Sequence, residues 1–322
     1  MPLIDLPLAE LFRYQGRNPR PADHDAYWAA ALRELDGTDP RPELRPATVV
    51  QSSRVECFEL WFTGVGGARI FAKYLRPKSA PGTRHPAVLQ FHGYSGHSGD
   101  WLDKFGWPAE GFCYAAMDCR GQGGRSEDNG QVKGTTLRGH IVRGLDDPDP
   151  ARLHFRQIFL DTAQLARVLM SFAEVDPARV GCFGASQGGA LSLACAALEP
   201  RLRRCAPVFP FLSDYQRTWE MDQAREAYEE LRLYFRAFDP RHEREEAVFT
   251  KLGYIDVQHL APRIQAEVLM FTGLMDTICL PSTQFAAYNK ITSMKDVVIY
   301  PDFVHESLPG QIDRTFNFMR GL

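Results

Sequence analysis

Residues 182–198 read CFGASQGGALSLACAAL, which places one hydroxyl, that of Ser186, where an apolar strand gives way to a small-residue helix. A tight strand–helix turn of this kind needs small neighbours two residues to either side of the serine, and Gly184 and Gly188 meet that need. The N-terminus of the following helix would direct amide groups toward negative charge that develops beside the serine. The stretch therefore predicts an exposed, nucleophilic serine.

Strands and helices alternate on both sides of this turn, and the pattern predicts a mostly parallel sheet covered by helices on both faces. The expected strands are 87–93, 112–118, 179–184, 204–210, 266–273 and 296–300, and the expected helices lie at 153–173, 186–198, 282–291 and 307–320. Ahead of them, two β-prone runs joined by TGVGG predict an antiparallel hairpin over residues 55–75 at one edge of the sheet.

Two segments fall outside this alternation. Residues 1–45 predict an N-terminal helix and an extended arm, and residues 211–261 predict a charged helical insertion without a buried strand. The insertion is interpreted either as a solvated surface extension or as a cap or subunit contact, and the sequence does not separate the two. We expect a single domain over residues 1–322.

A serine hydroxyl is a weak nucleophile until a base removes its proton, so the chain should also supply a histidine and an acid. In folds with this turn, the acid and then the histidine follow later strands. Asp276 and His305 occupy those positions. Asp302 is a rival acid in the same loop as His305, and His259 is a rival base, but it lies within the insertion.

Hydrolysis of an ester also needs donors for the oxyanion. The amide of Gln187, directly after the serine, is one candidate, and the amide of Tyr94 is the other because Gly93 permits a tight turn there. His92 is expected to orient this loop rather than to act in catalysis. Arg120, at another strand end, is expected to brace neighbouring loops through its planar fork of donors.

Composition excludes several classes of protein. A net charge of −3 gives no basic face for nucleic acid, and no apolar run reaches the ~20 residues that span a bilayer. The acidic start of the chain, with Asp5 and Glu10, is unlike a signal peptide, so we expect a cytoplasmic protein. The seven cysteines contain no CxxC pair and are interpreted as buried small hydrophobic residues, with neither a zinc site nor a disulfide framework.

Together these features resemble carbohydrate esterase family seven, the acetyl xylan esterases and cephalosporin-C deacetylases. The family's RGQ, GxSQG and HE motifs correspond to residues 120–122, 184–188 and 305–306, with Ala185 where many relatives have glycine. The resemblance implies an α/β-hydrolase fold without cofactor or metal, and hydrolysis of acetyl esters on sugars, xylo-oligosaccharides and cephalosporin C. It implies the same roles for Ser186, Asp276, His305, Tyr94 and Gln187.

The resemblance also implies a homohexamer whose active sites face an inner chamber. An edge strand carrying Phe58, Leu60 and Trp61 would favour such an assembly, because an uncovered edge invites pairing. Three other functions stay open at this point: a general small-ester carboxylesterase, a serine peptidase of the prolyl-oligopeptidase type, and a binding protein without catalysis. Retention of serine, acid and histidine argues against the last of these.

Overall fold

Nine strands form one continuous sheet in the computed structural model, which describes residues 4–135 and 137–322. The strands are β1 (Glu43–Pro46), β2 (Val55–Thr63), β3 (Arg69–Pro77), β4 (His85–Phe91), β5 (Cys113–Met117), β6 (Val175–Ala185), β7 (Arg204–Val208), β8 (Glu267–Gly273) and β9 (Lys295–Tyr300). Their order across the sheet is β1-β2-β3-β5-β4-β6-β7-β8-β9. From β5 to β9 neighbouring strands are parallel, whereas β1, β2 and β3 pair antiparallel.

The predicted hairpin forms, but it does not lie at the edge of the sheet. Residues Glu43–Pro46 pair with the outer side of β2, so the chain covers this strand itself. Leu60 is fully buried, and the guanidinium groups of Arg76 and Arg125 lie over the rings of Phe58 and Trp61. The expectation of an uncovered edge at 55–75 is therefore wrong. The N-terminal arm supplies β1, which covers this edge and is too short to be recognised from the sequence.

Eleven α-helices surround the sheet in the described part of the chain. They are α1 (Leu8–Leu11), α2 (His24–Asp36), α3 (Gly106–Ala109), α4 (His154–Ser171), α5 (Gln187–Leu198), α6 (Tyr215–Glu220), α7 (Glu229–Phe238), α8 (Glu245–Leu252), α9 (Val257–Leu260), α10 (Pro281–Lys290) and α11 (Gln311–Met319). Side chains alternate along a strand, so Val88 and Leu89 of β4 enter two different cores. Residues of α4 and α5 fill one core and α11 contributes to the other, which confirms the predicted layered architecture.

The insertion, which comprises α6 to α9, is helical as predicted but is not a solvated extension. Tyr215, Tyr228 and Phe235 are fully or almost fully buried and belong to the same core as α4 and α5. The sequence does not indicate this burial, because acidic and basic residues lie between the apolar residues of each short helix. The insertion thus packs as part of the domain core.

The N-terminal arm docks on the insertion through buried polar contacts. The backbone amides of Arg17 and Asn18 donate to Oδ1 of Asp214 at 2.9 and 2.8 Å, and the hydroxyl of Tyr14 donates to Oδ2 at 2.7 Å. The predicted helix in this arm corresponds to α2. Among the helices described, none combines the length and the apolar character needed to cross a membrane.

Candidate active site

Ser186 lies between β6 and α5 in a backbone conformation that few residues adopt. Its φ is 58° and its ψ is −119°, and its amide donates to the carbonyl of Val208 at 2.9 Å. A Cβ on Gly184 would lie 2.6 Å from the carbonyl oxygens of Gly188 and Phe91, and one on Gly188 would overlap that of Phe91. The sequence needs glycine at both positions because strand and helix approach here without space for a side chain.

Asp276 and His305 follow the neighbouring parallel strands β8 and β9, and the structure brings them together. Nδ1 of His305 lies 2.8 Å from Oδ2 of Asp276. Since an ionised carboxylate only accepts, Nδ1 carries the proton and Nε2 is free to accept one. Oδ1 of the acid accepts from the amides of Ile278 and Cys279, each at 2.8 Å, so this buried carboxylate is held at both oxygens.

Ser186 and His305 line one cleft of about 560 Å³ at the carboxyl ends of the strands. The cleft is also lined by His92, Gly93, Tyr94, Gly96, His97, Glu226, Ala227 and Ile278. Among the described residues, no hydrogen bond joins the Ser186 hydroxyl to His305. Catalytic hydrogen bonds are often long without substrate, so the absence of this one does not argue against the pair.

Cys279 lies beside the serine and the acid. Burial raises the pKa of its thiol, the charge of Asp276 raises it further, and a hydrogen bond with Ser186 lowers it. Ligand atoms of Asp276, Cys279 and His305 lie within 4.8 Å of one another. A metal ion there would need a thiolate and would compete with the hydrogen bonds that the carboxylate already accepts, whereas the raised pKa keeps Cys279 as a neutral thiol.

His92 orients the loop after β4, as the sequence predicted. The amide of Cys119 donates to its Nε2 at 3.0 Å, so the proton is on Nδ1, which donates to the carbonyl of Gly93 at 2.7 Å. Burial lowers the pKa of His92 and favours this neutral form. Both nitrogens are thus engaged with backbone, and neither is available as a base for Ser186.

Gln122 joins the loop after β4 to the residue after the serine. Its Oε1 accepts from the amide of Ser95 at 2.9 Å, and its Nε2 donates to Oε1 of Gln187 at 2.8 Å. The donor at Ser95 fixes the orientation of the Gln122 amide, because a backbone N–H can only donate. The two segments that carry the expected oxyanion donors, Tyr94 and Gln187, are therefore bridged by one side chain.

The side chain of Tyr94 has contacts of its own. Its hydroxyl donates to Glu230 of the insertion, and its ring packs edge-to-face on Phe211 with centroids 5.5 Å apart. In the described part of the chain, its backbone amide donates to no loop or side-chain acceptor. The amide of Gln187 lies in the first turn of α5, where helix N–H groups lack an intrahelical partner. Both amides are available to a ligand.

The rival residues lie in other environments. Asp302 is exposed and forms no hydrogen bond to His305 among the described residues. His259 is buried under the N-terminal arm, where Nε2 lies 3.2 Å from the carbonyl of Asn18, and burial lowers its pKa to about 3. Arg120 forms a buried bidentate pair with Asp161 at 2.6 and 2.7 Å, which is the structural role expected from the sequence.

Sequence reasoning missed the residues that the insertion contributes. Glu226 and Ala227 reach the cleft from between α6 and α7, and Glu230 reaches Tyr94. No local motif marks them, and the position of Glu230 depends on its contact with Tyr94, 136 residues earlier in the chain. Phe209, directly after β7, packs on the His305 ring with centroids 4.4 Å apart.

Comparison with known families gives a match over the whole chain. A family model described as acetyl xylan esterase (AXE1) matches residues 1–322. Acetyl esterase Axe7A of Xylanibacter ruminicola is 28% identical over 297 residues. That alignment covers 91% of this chain but 64% of Axe7A, so the chain spans somewhat less than two thirds of this curated relative.

Solved structures with the same architecture include two described as acetyl xylan esterases. Acetyl xylan esterase 1 from Thermoanaerobacterium sp. JW/SL YS485 is 57% identical, with a TM-score of 0.96 and 98% of each chain covered. An acetyl xylan esterase from Paenibacillus sp. R4 is 33% identical, with a TM-score of 0.93 and 98% of this chain and 99% of that one covered. The α/β hydrolase GrgF from Penicillium sp. sh18, at 17% identity and a TM-score of 0.54, shares the fold alone.

Proposed function

The chain belongs to the acetyl xylan esterase family, and we propose that it is a carboxylic ester hydrolase that removes acetyl groups from small acetylated sugars. The observation that carries this proposal is the convergence of Ser186 and His305 on one cleft, with His305 held by the buried carboxylate of Asp276. Family membership and the two solved relatives support the acetyl ester as substrate.

The proposed reaction proceeds through an acetyl-enzyme. Nε2 of His305 takes the proton of Ser186 as its Oγ attacks the acetyl carbonyl, and Asp276 stabilises the imidazolium. The amides of Tyr94 and Gln187 donate to the oxyanion of the tetrahedral intermediate. His305 then protonates the departing alcohol, and water cleaves the acetyl-enzyme by the same sequence of proton transfers.

Acetylated xylo-oligosaccharides and cephalosporin C are the proposed substrates, with a general small-ester carboxylesterase as the alternative. Peptidase structures at 18% and 16% identity share the fold alone, so no observation favours peptide hydrolysis. The cleft is lined by His97 and Glu226 as well as by Ala227 and Ile278. Such a lining offers polar partners for a sugar and apolar ones for a short acyl group.

The decisive experiment measures release of acetate from acetylated xylo-oligosaccharides, cephalosporin C and p-nitrophenyl acetate. We expect activity in the wild type and a loss of about 10⁴-fold or more in Ser186→Ala. Ser192→Ala is the matched control, since its hydroxyl donates to the carbonyl of Gly188 at 2.7 Å within α5, away from the cleft. Mass spectrometry after rapid quenching should find the acetyl group on Ser186, and a wild type that hydrolyses none of these esters would refute the proposal.

A homohexamer and a cytoplasmic location stay predictions. The first rests on the family resemblance, since β1 removes the argument from an uncovered edge. All seven cysteines are buried and free, which suits a reducing compartment. Light scattering after size exclusion tests the assembly, and cell fractionation tests the location. A fully active monomer that acts equally on polymeric xylan and on oligosaccharides would contradict the assembly and its inner chamber.

A further inference from the structure

One buried carboxylate connects the helical insertion to the loop after β4. Glu230 lies in the first turn of α7 and is 5% exposed. Its Oε1 accepts from the hydroxyl of Tyr94 and from the amide of His140, the latter at 3.2 Å. Its Oε2 accepts from the amide of Val142 at 2.9 Å. Glu230 thus joins three segments that are distant in sequence.

This carboxylate has no cationic partner among the described residues. Burying an unpaired charge is unfavourable unless hydrogen bonds replace its water, and here the hydrogen bonds come from the hydroxyl of Tyr94 and backbone amides. Burial raises the pKa of Glu230, and the hydrogen bonds from Tyr94 and the amides lower it. Gly139, with a φ of 111°, lets the backbone approach, because a Cβ there would overlap the carboxyl group.

The contact fixes Tyr94 at the far end of its side chain. The ring also packs edge-to-face on His140 and Phe211, with centroids 5.1 and 5.5 Å away. Because the ring and the hydroxyl of Tyr94 are both fixed by these contacts, its backbone cannot rotate without breaking them. The direction of the Tyr94 amide is therefore restricted by a residue of the insertion.

We propose that Glu230 is a positioning residue, which holds the amide of Tyr94 in the direction needed to donate to the oxyanion. The inference rests on the proposed function, in which that amide stabilises the tetrahedral intermediate. It also gives the insertion a part in the reaction, because α7 supplies the carboxylate. Displacing a catalytic group by about 1 Å is enough to lower a rate about 10²-fold, so a misdirected donor would be measurable.

The test compares two buried acids of the insertion. Glu230→Gln keeps the side-chain shape but replaces one accepting oxygen with an NH2 group, which then faces the backbone N–H of Val142 or that of His140. We expect kcat on p-nitrophenyl acetate to fall about 10- to 100-fold with KM changed less than about 2-fold. Asp239→Asn is the control: Asp239 is also 5% exposed and accepts from the amides of Glu243 and Arg244 at 2.9 and 2.8 Å. Asp239→Asn should lower the stability of the protein, but it should not lower kcat 10-fold or more as Glu230→Gln does.

A second variant separates positioning from folding. Tyr94→Phe removes the hydroxyl and keeps the backbone amide, and we expect it to lower kcat with little change in KM. The double variant with Glu230→Gln should be no slower than the slower single variant, because both substitutions act on the hydrogen bond between Tyr94 and Glu230. Tyr94→Phe also removes the acceptor for the amide of His140, which donates to the Tyr94 hydroxyl at 2.9 Å. If Glu230→Gln does not fold, Tyr94→Phe alone decides.

Two outcomes would overturn the inference: Tyr94→Phe with wild-type kcat, or Glu230→Gln with a kcat no lower than that of Asp239→Asn. Both leave the proposed function intact as long as Ser186→Ala is inactive. A wild type without esterase activity would instead refute the proposed function itself.

Discussion

Nδ1 of His305 lies 2.8 Å from Oδ2 of Asp276, although 29 residues separate the two along the chain. The contact follows from the sheet: Asp276 comes after β8 and His305 after β9, and these strands are parallel neighbours. Their carboxyl ends therefore open at the same edge. The acid is fully buried and fixed by two further amides, so the imidazole is held in one orientation.

Substitution of Asp276 and of Asp302 should show which of the two is the catalytic acid. We expect Asp276→Asn to lower kcat roughly 10⁴-fold, which is the effect of the equivalent change in serine proteases, because the amide no longer enforces the productive tautomer of His305. Asp302→Asn, in an exposed side chain of the same loop as His305, should retain nearly full activity. Steady-state hydrolysis of p-nitrophenyl acetate measures both, and a reversed ranking would show that the acid is Asp302.

The strand–helix turn should depend on its glycines. Gly188→Ala would bring a Cβ into overlap with the carbonyl of Phe91, and we expect it to destabilise the protein by about 1–3 kcal/mol or to prevent folding. Gly106→Ala is the matched control, since a Cβ there meets no atom within 4 Å. Urea unfolding followed by tryptophan fluorescence measures both variants. Equal stability in the two would contradict the steric argument.

The alternation of strands and helices and the serine turn could be predicted because they depend on local patterns. Apolar runs followed by small residues identify β4, β6 and β8, and the glycines around Ser186 identify the turn. Loops at the ends of parallel strands meet at one edge, so the positions of Asp276 and His305 followed as well. In these strands and in the serine turn, the local sequence preference matches the structure that the whole fold requires.

The contacts that the sequence did not reveal join segments far apart in the chain. β1 is only four residues long and is mostly exposed, so nothing in its composition marks it as a strand. Glu230 stands among Glu229, Arg232 and other charged residues, a pattern typical of a solvated helix face. Its burial depends on Tyr94, 136 residues earlier. Contacts such as the β1–β2 pairing and the Glu230–Tyr94 hydrogen bond form only in the folded chain, so no single segment predicts them.

Acetyl esters should be preferred over longer acyl esters. The expectation follows from the family resemblance, and the cleft side chains of Ala227 and Ile278 are compatible with a short acyl group. We expect kcat/KM to fall from p-nitrophenyl acetate to the butyrate and octanoate esters. The same three esters with Ser186→Ala give the background rate. Faster hydrolysis of butyrate or octanoate would identify a general carboxylesterase instead.

Acid should destabilise the protein through buried histidines. Both ring nitrogens of His24 are buried without a hydrogen-bond partner among the described residues. Burial, and to a smaller extent the charge of Arg20, lowers the pKa of His24 to about 4. The unfolded chain has a histidine pKa of about 6.5, so this contribution to stability is complete above pH 6.5 and is lost as the pH falls from there toward 4.

His24→Leu tests this dependence because it removes the titrating group from the same buried position. Between pH 7 and pH 5, we expect the wild type to lose about 2 kcal/mol more of its free energy of unfolding than His24→Leu does. Guanidinium unfolding at the two pH values measures the difference. His259 and His154, whose pKa values are each lowered to about 3 mainly by burial, remain in both proteins. The rings of His24 and His259 lie 5.8 Å apart and the charge of His24 contributes to the lowered pKa of His259, so His24→Leu also reduces the pH dependence that His259 contributes. Parallel losses in the two proteins would contradict the assignment to His24.

The bridge made by Gln122 should also support the oxyanion site. Gln122→Ala removes the acceptor for the Ser95 amide and the donor to Gln187, and we expect kcat to fall about 10-fold or more with KM nearly unchanged. Gln122→Glu keeps an oxygen for Ser95 but turns a second oxygen toward Oε1 of Gln187. Its kcat should therefore lie between those of Gln122→Ala and the wild type. Gln131→Ala, an exposed amide outside the cleft, is the control, and a Gln122→Ala enzyme as fast as this control would show that the bridge does not position either donor.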